Sequence, residues 1–282
     1  MNISPIIDIA AFKILKNQNS FFLIDVRSGK DAKERYEKGH LENAIFVDLD
    51  TQLADIKPDT SIGGRHPLPS IDKFGKLLSD IRIQPDSHVI VYDDGFAGNG
   101  AARFWWMLKA VGHQKVQVLN GGLQNAEKQG IKITITNPEN VQHSTPYPIT
   151  GWKLPLVTIQ EVEKASISGS PLIIDVRSAE RYMGLFEPID KIAGHIPNAV
   201  NYPYFDHLTD DGTFLSVEEI QKMYDSIFKK HSADQIIVHC GSGVTACHLL
   251  LALDYAGFPI PKLYIGSWSE WSQNSKPIET NL

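Results

Sequence analysis

A cysteine at the end of an apolar segment is the residue of this chain best placed for nucleophilic chemistry. Cys240 follows the apolar run Ile236–His239, and residues 240–245 read Cys-Gly-Ser-Gly-Val-Thr. This order predicts a buried strand, a tight loop and then a helix, so that backbone N–H groups and the helix N-terminus converge on the thiol. Their positive potential favours a thiolate, and we therefore predict that Cys240 is a nucleophile rather than an inert core residue.

Composition excludes several other kinds of function. The 282 residues carry a net charge of −6 and no basic cluster longer than Lys229-Lys230, which argues against nucleic-acid binding. Two cysteines, Cys240 and Cys247, cannot build a disulfide framework or a zinc quartet, and Cys247 is expected to face the core. Without a Cys/His cluster or a phosphate-binding glycine fingerprint, we expect neither a metal nor an organic cofactor.

The sequence shows no recognisable targeting signal, and the cytoplasm is the default expectation. No run of 18 apolar residues is present, so no membrane span is predicted. The first residues, Met-Asn-Ile-Ser-Pro-Ile-Ile-Asp, lack the basic segment followed by an apolar one that marks a signal peptide. We therefore expect a cytoplasmic protein with no membrane partner.

The chain contains the same pattern twice, about 150 residues apart. Three segments recur in the second half: 22–28 as 172–178, 39–44 as 194–199, and 88–93 as 235–240. Two copies at this distance indicate a duplicated domain, and we expect domain one over 1–130, a linker over 131–156 and domain two over 157–282. Asp-Val-Arg occurs in both copies, one of which has no cysteine, so we predict that Asp25, Arg27, Asp175 and Arg177 form a structural ion pair or turn and are not catalytic.

Short apolar runs alternate with helical patterns in each copy. Strands are predicted over 21–26, 89–92, 116–119, 172–176, 236–239 and 262–265. Helices are predicted over 102–110, 123–128 and 245–256. This alternation indicates the α/β class, with a mainly parallel sheet covered by helices on both faces in each domain. Ligands of such sheets bind at the carboxyl ends of the strands, where Cys240 is expected.

Several motifs together resemble the two-domain rhodanese-type sulfurtransferases, which use 3-mercaptopyruvate or thiosulfate. They are Asp-Val-Arg, Gly-His-Ile-Pro at 194–197, the 240–245 loop and Gly-Ser-Trp-Ser-Glu-Trp at 266–271, and they extend over nearly the whole chain. In that family only the carboxy-terminal domain keeps the active cysteine. Asp93 stands here at the position that matches Cys240, followed by a longer, acidic loop that we expect to be unsuited to anions. The resemblance therefore implies that domain one is structural or forms a wall of the site.

The resemblance also implies a persulfide on Cys240, whose terminal sulfur is anionic and needs several backbone donors. The Ser242 hydroxyl is expected either to exchange a proton beside the thiol or to bond the loop. Thr245 is predicted to cap the following helix as well. The other loop residues expected to bind the substrate are Gly241, Gly243, Val244 and Thr245.

The sulfur donor is predicted from the charges around this loop. Thiosulfate-using relatives often carry basic residues directly after the cysteine, whereas Gly241 and Ser242 stand here, as in mercaptopyruvate-using ones. Arg181 matches one substrate-binding arginine of the mercaptopyruvate group. The second, expected after Glu-Pro, is missing from residues 186–191, where Lys191 could substitute without bidentate geometry. We predict 3-mercaptopyruvate as the donor, with thiosulfate as the alternative.

Some mercaptopyruvate-using relatives are thought to employ an Asp–His–Ser relay. The candidates here are Asp50, His66 and Ser242, and a histidine beside the substrate suits proton transfer near pH 7. Arg65, in the same Gly-Gly-Arg-His-Pro segment, is a further candidate anion contact. The alternative for His66 is an ordinary solvated loop residue.

The acceptor is expected to be a thiol, cyanide or a thioredoxin-like protein. A sulfur-relay module that serves a protein acceptor is the alternative to turnover with small molecules. A cysteine phosphatase would use a similar strand–loop–helix, but it needs an arginine about six residues after the cysteine to clamp phosphate. Ala246 stands there in this chain, which argues against that class.

Overall fold

The computed structural model describes residues 3–18, 21–96, 98, 100–138 and 145–280. The chain divides into two compact units. Unit 1 contains Met1–Asp55, Pro69–Lys153 and Thr209–Phe214, and unit 2 contains Ile56–Leu68, Leu154–Leu208 and Leu215–Leu282. The candidate residues Arg65 and His66 therefore belong to the same unit as Cys240.

Unit 1 is built on a parallel sheet with the strand order β1-β6-β5-β2-β4. Its strands are β1 Ile6–Ile7, β2 Phe22–Arg27, β3 His40–Leu41, β4 Ile45–Asp48, β5 Val89–Tyr92, β6 Val116–Leu119 and β7 Ile133–Thr134. Its helices are α1 Ile9–Lys16, α2 Ala32–Lys38, α3 Leu49–Gln52, α4 Ile71–Asp80, α5 Ala101–Ala110 and α6 Gly122–Lys128. Strands β3 and β7 form a separate antiparallel pair. All residues of β5 and β6 are buried, so both faces of the sheet are covered.

Unit 2 repeats this topology with the strand order β11-β10-β8-β9, again all parallel. Its strands are β8 Leu172–Asp175, β9 Ala199–Asn201, β10 Ile236–His239 and β11 Lys262–Leu263. Its helices are α7 Ile159–Ser168, α8 Ala179–Met183, α9 Val217–Phe228, α10 Ala246–Tyr255 and α11 Ser267–Trp271, with 3₁₀ turns at Tyr204–His207 and Ala233–Gln235. Leu156 bridges to Leu263 in parallel, at the place that β1 takes beside β6.

The Asp-Val-Arg motif forms a buried ion pair in each unit. Arg27 Nη2 lies 2.8 Å from Asp25, and Arg177 Nη2 lies 2.7 Å from Asp175. Burial by itself raises the pKa of Asp175, but the adjacent Arg177 outweighs it and the pKa lies below its ordinary value. Because both pairs are made within the motif itself, the predicted structural ion pairs are present.

The Gly-His motif is also used identically in both units. His40 Nδ1 lies 2.8 Å from the carbonyl oxygen of Tyr36, and His195 Nδ1 lies 2.7 Å from that of Tyr182. Each imidazole stacks on the same tyrosine, with ring centroids 3.9 Å apart. These histidines therefore fix a turn beside the sheet, which is a structural role shared by both copies.

The predicted fold class is confirmed, and most element bounds agree within one or two residues. Strand β11 ends at Leu263, two residues earlier than predicted, because the chain turns there towards α11. Strand β7 lies inside the predicted linker 131–156, of which residues 139–144 lie outside the described part. Where the domains begin and end in the sequence stays a prediction. Among the described residues, every helix is too short or too polar to span a membrane.

Candidate functional site

Cys240 follows β10 directly and is 1% exposed. Its Sγ accepts a hydrogen bond from the N–H of Gly243 at 3.2 Å, the kind of backbone donor that the loop composition predicts. Gly243 has φ +74°, and a Cβ built on it would lie 2.4 Å from the carbonyl oxygen of Ile265. Both the left-handed backbone and the crowding require glycine here, so this residue fixes the N–H that faces the sulfur.

The cysteine loop is held by the 266–271 motif, which forms α11. The N–H of Trp268 donates to the carbonyl oxygen of Cys240 at 3.0 Å, and the N–H of Ser269 donates to that of Gly241 at 2.9 Å. Ser267 Oγ accepts the Cys240 N–H at 3.1 Å. Trp268 is fully buried in the core of unit 2, so the core itself anchors these contacts.

The same helix holds the segment that carries Arg65 and His66. Ser269 Oγ accepts the N–H of Arg65 at 3.0 Å, and the Glu270 carboxylate accepts the N–H of Gly63 at 2.8 Å. Because α11 bonds both segments, it sets the position of Arg65 and His66 relative to the cysteine loop. The Ser-Glu positions of the motif are the sequence signal for this arrangement.

Two guanidinium groups face the residue after the cysteine. A Cβ built on Gly241 would lie 3.1 Å from Arg65 Nη2 and 3.4 Å from both Nη1 and Nη2 of Arg181. Because Gly241 has no side chain, two cations can lie close to the residue that follows Cys240, an arrangement suited to an anion. The second arginine expected after Glu-Pro is indeed missing, and Lys191 is exposed. Arg65, from a segment distant in sequence, supplies the second cation instead.

Two carboxylates orient these arginines, and sequence reasoning missed both. Arg181 Nε and Nη2 donate to Glu187 at 3.0 and 2.8 Å, a bidentate pair. Asp190 contacts both Arg65 Nη1 and Arg181 Nη2. Burial raises the pKa of Glu187, but the hydrogen bonds from Arg181 and from the Asp190 backbone outweigh it, so the pKa lies below its ordinary value. Both acids lie in residues 186–191, the segment in which the resemblance predicts a second arginine, and this position is the sequence signal that could have identified them.

Two of the relay candidates, His66 and Ser242, lie in unit 2 and contact each other. His66 Nδ1 lies 2.8 Å from Ser242 Oγ, and Ser242 is only 7% exposed. Such a contact can pass a proton between the imidazole and the hydroxyl. Asp50 belongs to unit 1, where its carboxylate accepts the N–H of Gly29 at 3.2 Å. Its part in a relay stays a prediction.

Thr245 lies at the N-cap position of α10, but the prediction that its side chain caps the helix is wrong. Thr245 precedes α10, yet its side chain accepts no hydrogen bond from the described backbone of that helix. Its own backbone is already helical, with φ −69° and ψ −16°, whereas a capping side chain needs an extended residue.

The loop residue Val244 is mostly buried, with 9% of its surface exposed. Cys247 is fully buried and donates its S–H to the carbonyl oxygen of Gly243 at 3.5 Å.

No metal site accompanies these groups in the part of the chain that the structure describes. Within that part, no three or more His, Cys, Asp or Glu side chains are arranged to hold an ion. The arrangement contains a buried thiol with a backbone donor, two arginines beside Gly241, and a hydroxyl bonded to an imidazole. This set can bind an anionic substrate, attack it and move a proton.

Comparison with known proteins agrees with this chemistry. The profile of the rhodanese-like domain matches residues 9–129 and 158–274. A probable 3-mercaptopyruvate sulfurtransferase from Pseudomonas aeruginosa is 37% identical, over 87% of this chain and 86% of that protein. The thiosulfate sulfurtransferase of Rattus norvegicus is 34% identical, over 88% and 82%. The structure of 3-mercaptopyruvate sulfurtransferase from Leishmania major superposes with a TM-score of 0.77 at 29% identity, over 96% of this chain and 75% of that one.

Proposed function

This chain belongs to the rhodanese family and is a sulfurtransferase, and we propose that it takes its sulfur from 3-mercaptopyruvate through a persulfide on Cys240. The observation that carries the proposal is the pair of guanidinium groups, Arg65 and Arg181, that border the space over Gly241. A donor carboxylate bound there brings its sulfur to the neighbouring thiol. The named relatives include users of both donors, so the choice rests on this site.

The first half-reaction transfers one sulfur atom. The Cys240 thiolate attacks the sulfur of 3-mercaptopyruvate, an S–S bond forms and the C–S bond breaks, leaving a Cys240 persulfide and the enolate of pyruvate. The proton of the donor thiol moves to the enolate carbon and gives pyruvate. The Gly243 N–H, which bonds Cys240 Sγ at 3.2 Å, is placed to stabilise the sulfur anion during this step. A thiol or cyanide then removes the outer sulfur and restores the thiolate.

The proton in this step separates the two donors. Thiosulfate loses sulfite without any proton transfer, whereas 3-mercaptopyruvate needs its thiol proton carried to carbon. We assign that transfer to Ser242 and His66, whose Oγ and Nδ1 lie 2.8 Å apart. A relay of this kind serves mercaptopyruvate alone, which supports that donor over thiosulfate.

The test compares kcat/KM for 3-mercaptopyruvate and thiosulfate with cyanide as acceptor, in the unaltered enzyme and in His66→Asn. We expect the unaltered enzyme to prefer mercaptopyruvate, and His66→Asn to lose on the order of a hundredfold with mercaptopyruvate and little with thiosulfate. A preference of the unaltered enzyme for thiosulfate would overturn the donor. An equal loss with both donors would remove the relay while leaving sulfur transfer intact.

The physiological acceptor is proposed as a small thiol or a thioredoxin-like protein. Because Cys240 is buried, the acceptor that takes its sulfur has to be a small nucleophile or a protein with an exposed thiol. Rates with dithiothreitol, glutathione and reduced thioredoxin rank these acceptors. A cytoplasmic location stays a prediction that cell fractionation checks.

A further inference from the structure

Asp190 lies between the two arginines that border the donor space. Its carboxylate contacts Arg65 Nη1 through Oδ1, and its Oδ2 lies 3.5 Å from Arg181 Nη2. The side chain is only 5% exposed, and Oδ2 is buried without a hydrogen-bond partner among the described residues. A buried carboxylate oxygen without a hydrogen bond is costly, so its retention calls for a reason other than packing.

We propose that Asp190 determines donor specificity by holding the anion site near electrical neutrality, so that monoanionic donors are favoured over dianionic ones. The inference rests on the proposed function, because it concerns the same donor space. Asp190 is a specificity-determining residue in this sense and takes no part in bond making.

The charges around Gly241 support this assignment. Three guanidinium groups and three carboxylates form one connected set, joined by Arg177 Nη1, which lies 3.3 Å from Glu187. The six residues are Arg65, Arg177, Arg181, Asp175, Glu187 and Asp190. Their formal charges cancel. A dianionic donor therefore leaves this set with twice the net negative charge that a monoanionic donor leaves, which disfavours the dianion.

Neutralising Asp190 should act twice as strongly on a dianion as on a monoanion. The electrostatic energy of an anion with this carboxylate is proportional to the charge of the anion. If Asp190→Asn strengthens monoanion binding by some factor, a dianion gains about the square of that factor. Any loosening of Arg65 also acts more strongly on the dianion, but it weakens binding where the loss of the Asp190 charge strengthens it. A ratio of affinities that shifts towards the dianion therefore reports the charge effect.

The experiment measures competitive inhibition by pyruvate, a monoanion, and by sulfate, a dianion, against whichever donor the enzyme turns over faster. In Asp190→Asn we expect the inhibition constant of sulfate to fall relative to that of pyruvate by about tenfold. Asp190→Glu keeps the charge and should keep the ratio of the unaltered enzyme, even where its longer side chain changes both constants. Asp211→Asn is the matched control, since Asp211 is exposed in unit 1 and pairs with Lys128.

An unchanged ratio in Asp190→Asn, or the same shift in Asp190→Glu, would overturn the proposal. Either result would mean that the charge of Asp190 does not set the ratio of the two affinities. The readout does not depend on which donor is natural. A preference of the unaltered enzyme for thiosulfate would therefore refute the proposed donor and leave the ratio test in force.

Discussion

The loops that follow β5 and β10 occupy the same position in the two units, and their difference explains why only one can carry the chemistry. Asp93 follows β5 where Cys240 follows β10. The Asp93 carboxylate accepts the N–H of Gly95 at 2.9 Å and that of Ala101 at 3.0 Å. Unit 1 therefore also offers backbone donors at this point. The protein's own carboxylate uses them.

The two units differ in the same way at the next residue of each loop, which is Asp94 in unit 1 and Gly241 in unit 2. Asp94 in unit 1 forms an ion pair with Arg35, which precedes the stacked Tyr36 as Arg181 precedes Tyr182. Gly241 takes the place of Asp94 in unit 2 and has no side chain to pair with Arg181, which pairs with Glu187 instead. Both copies thus place an arginine at this point. The loop of unit 1 fills the place beside it with a carboxylate, whereas the loop of unit 2 leaves that place open, without a side chain.

The largest effect is expected at the first of these positions. Cys240→Ser should lower sulfur transfer by at least about a thousandfold, because serine offers no thiolate and cannot form a persulfide. Intact mass after treatment with donor should increase by one sulfur atom in the unaltered enzyme and not in the variant. Cys247→Ser is the control and should keep most of the activity. An inactive Cys247 variant beside an active Cys240 variant would reverse the assignment.

Gly241→Asp should convert the open site of unit 2 into the filled state of unit 1. The new Cβ would lie 3.1 Å from Arg65 Nη2 and 3.4 Å from Arg181, and we expect the carboxylate it carries to pair with both arginines and exclude the donor. The predicted loss is on the order of a hundredfold in kcat/KM, mostly through KM, in steady-state kinetics.

Gly241→Asn separates charge from size in the same assay. It fills the same volume without a charge and should lose much less. Equal losses in the two variants would mean that steric blocking, and not ion pairing, closes the site.

Arg181→Ala tests whether the arginine of the open site binds the donor. Its charge-assisted hydrogen bonds to a carboxylate are worth about 1.5–3 kcal/mol, so kcat/KM for mercaptopyruvate should fall ten- to a hundredfold. Arg35→Ala removes the counterpart in unit 1, which is already paired with Asp94, and should leave the kinetics near those of the unaltered enzyme. Unchanged kinetics in Arg181→Ala would contradict the assigned role.

The strands and the cysteine loop could be predicted because their signals are local. The apolar run at 236–239 identifies β10, and the Gly and Ser residues after Cys240 identify the loop. The cation beside Gly241 could not be identified in this way, because Arg65 lies far from Cys240 in sequence and reaches it only through α11. Asp190 was missed for the same reason, since its role depends on two arginines that the fold brings together.

The smallest effect on activity is expected in unit 1, at the position that corresponds to the cysteine. Asp93→Ala should change kcat/KM by less than about tenfold per folded molecule, because no bond-making role is assigned to this residue. It should instead lower the free energy of unfolding by about 1–3 kcal/mol, since the buried N–H of Ala101 loses its acceptor, a change that urea titration measures. Asp93→Asn keeps one oxygen acceptor and should lose less stability. If Asp93→Ala folded normally and lost several orders of magnitude in rate, the filled site of unit 1 would have to take part in the chemistry, and the contrast between the two loops would fail.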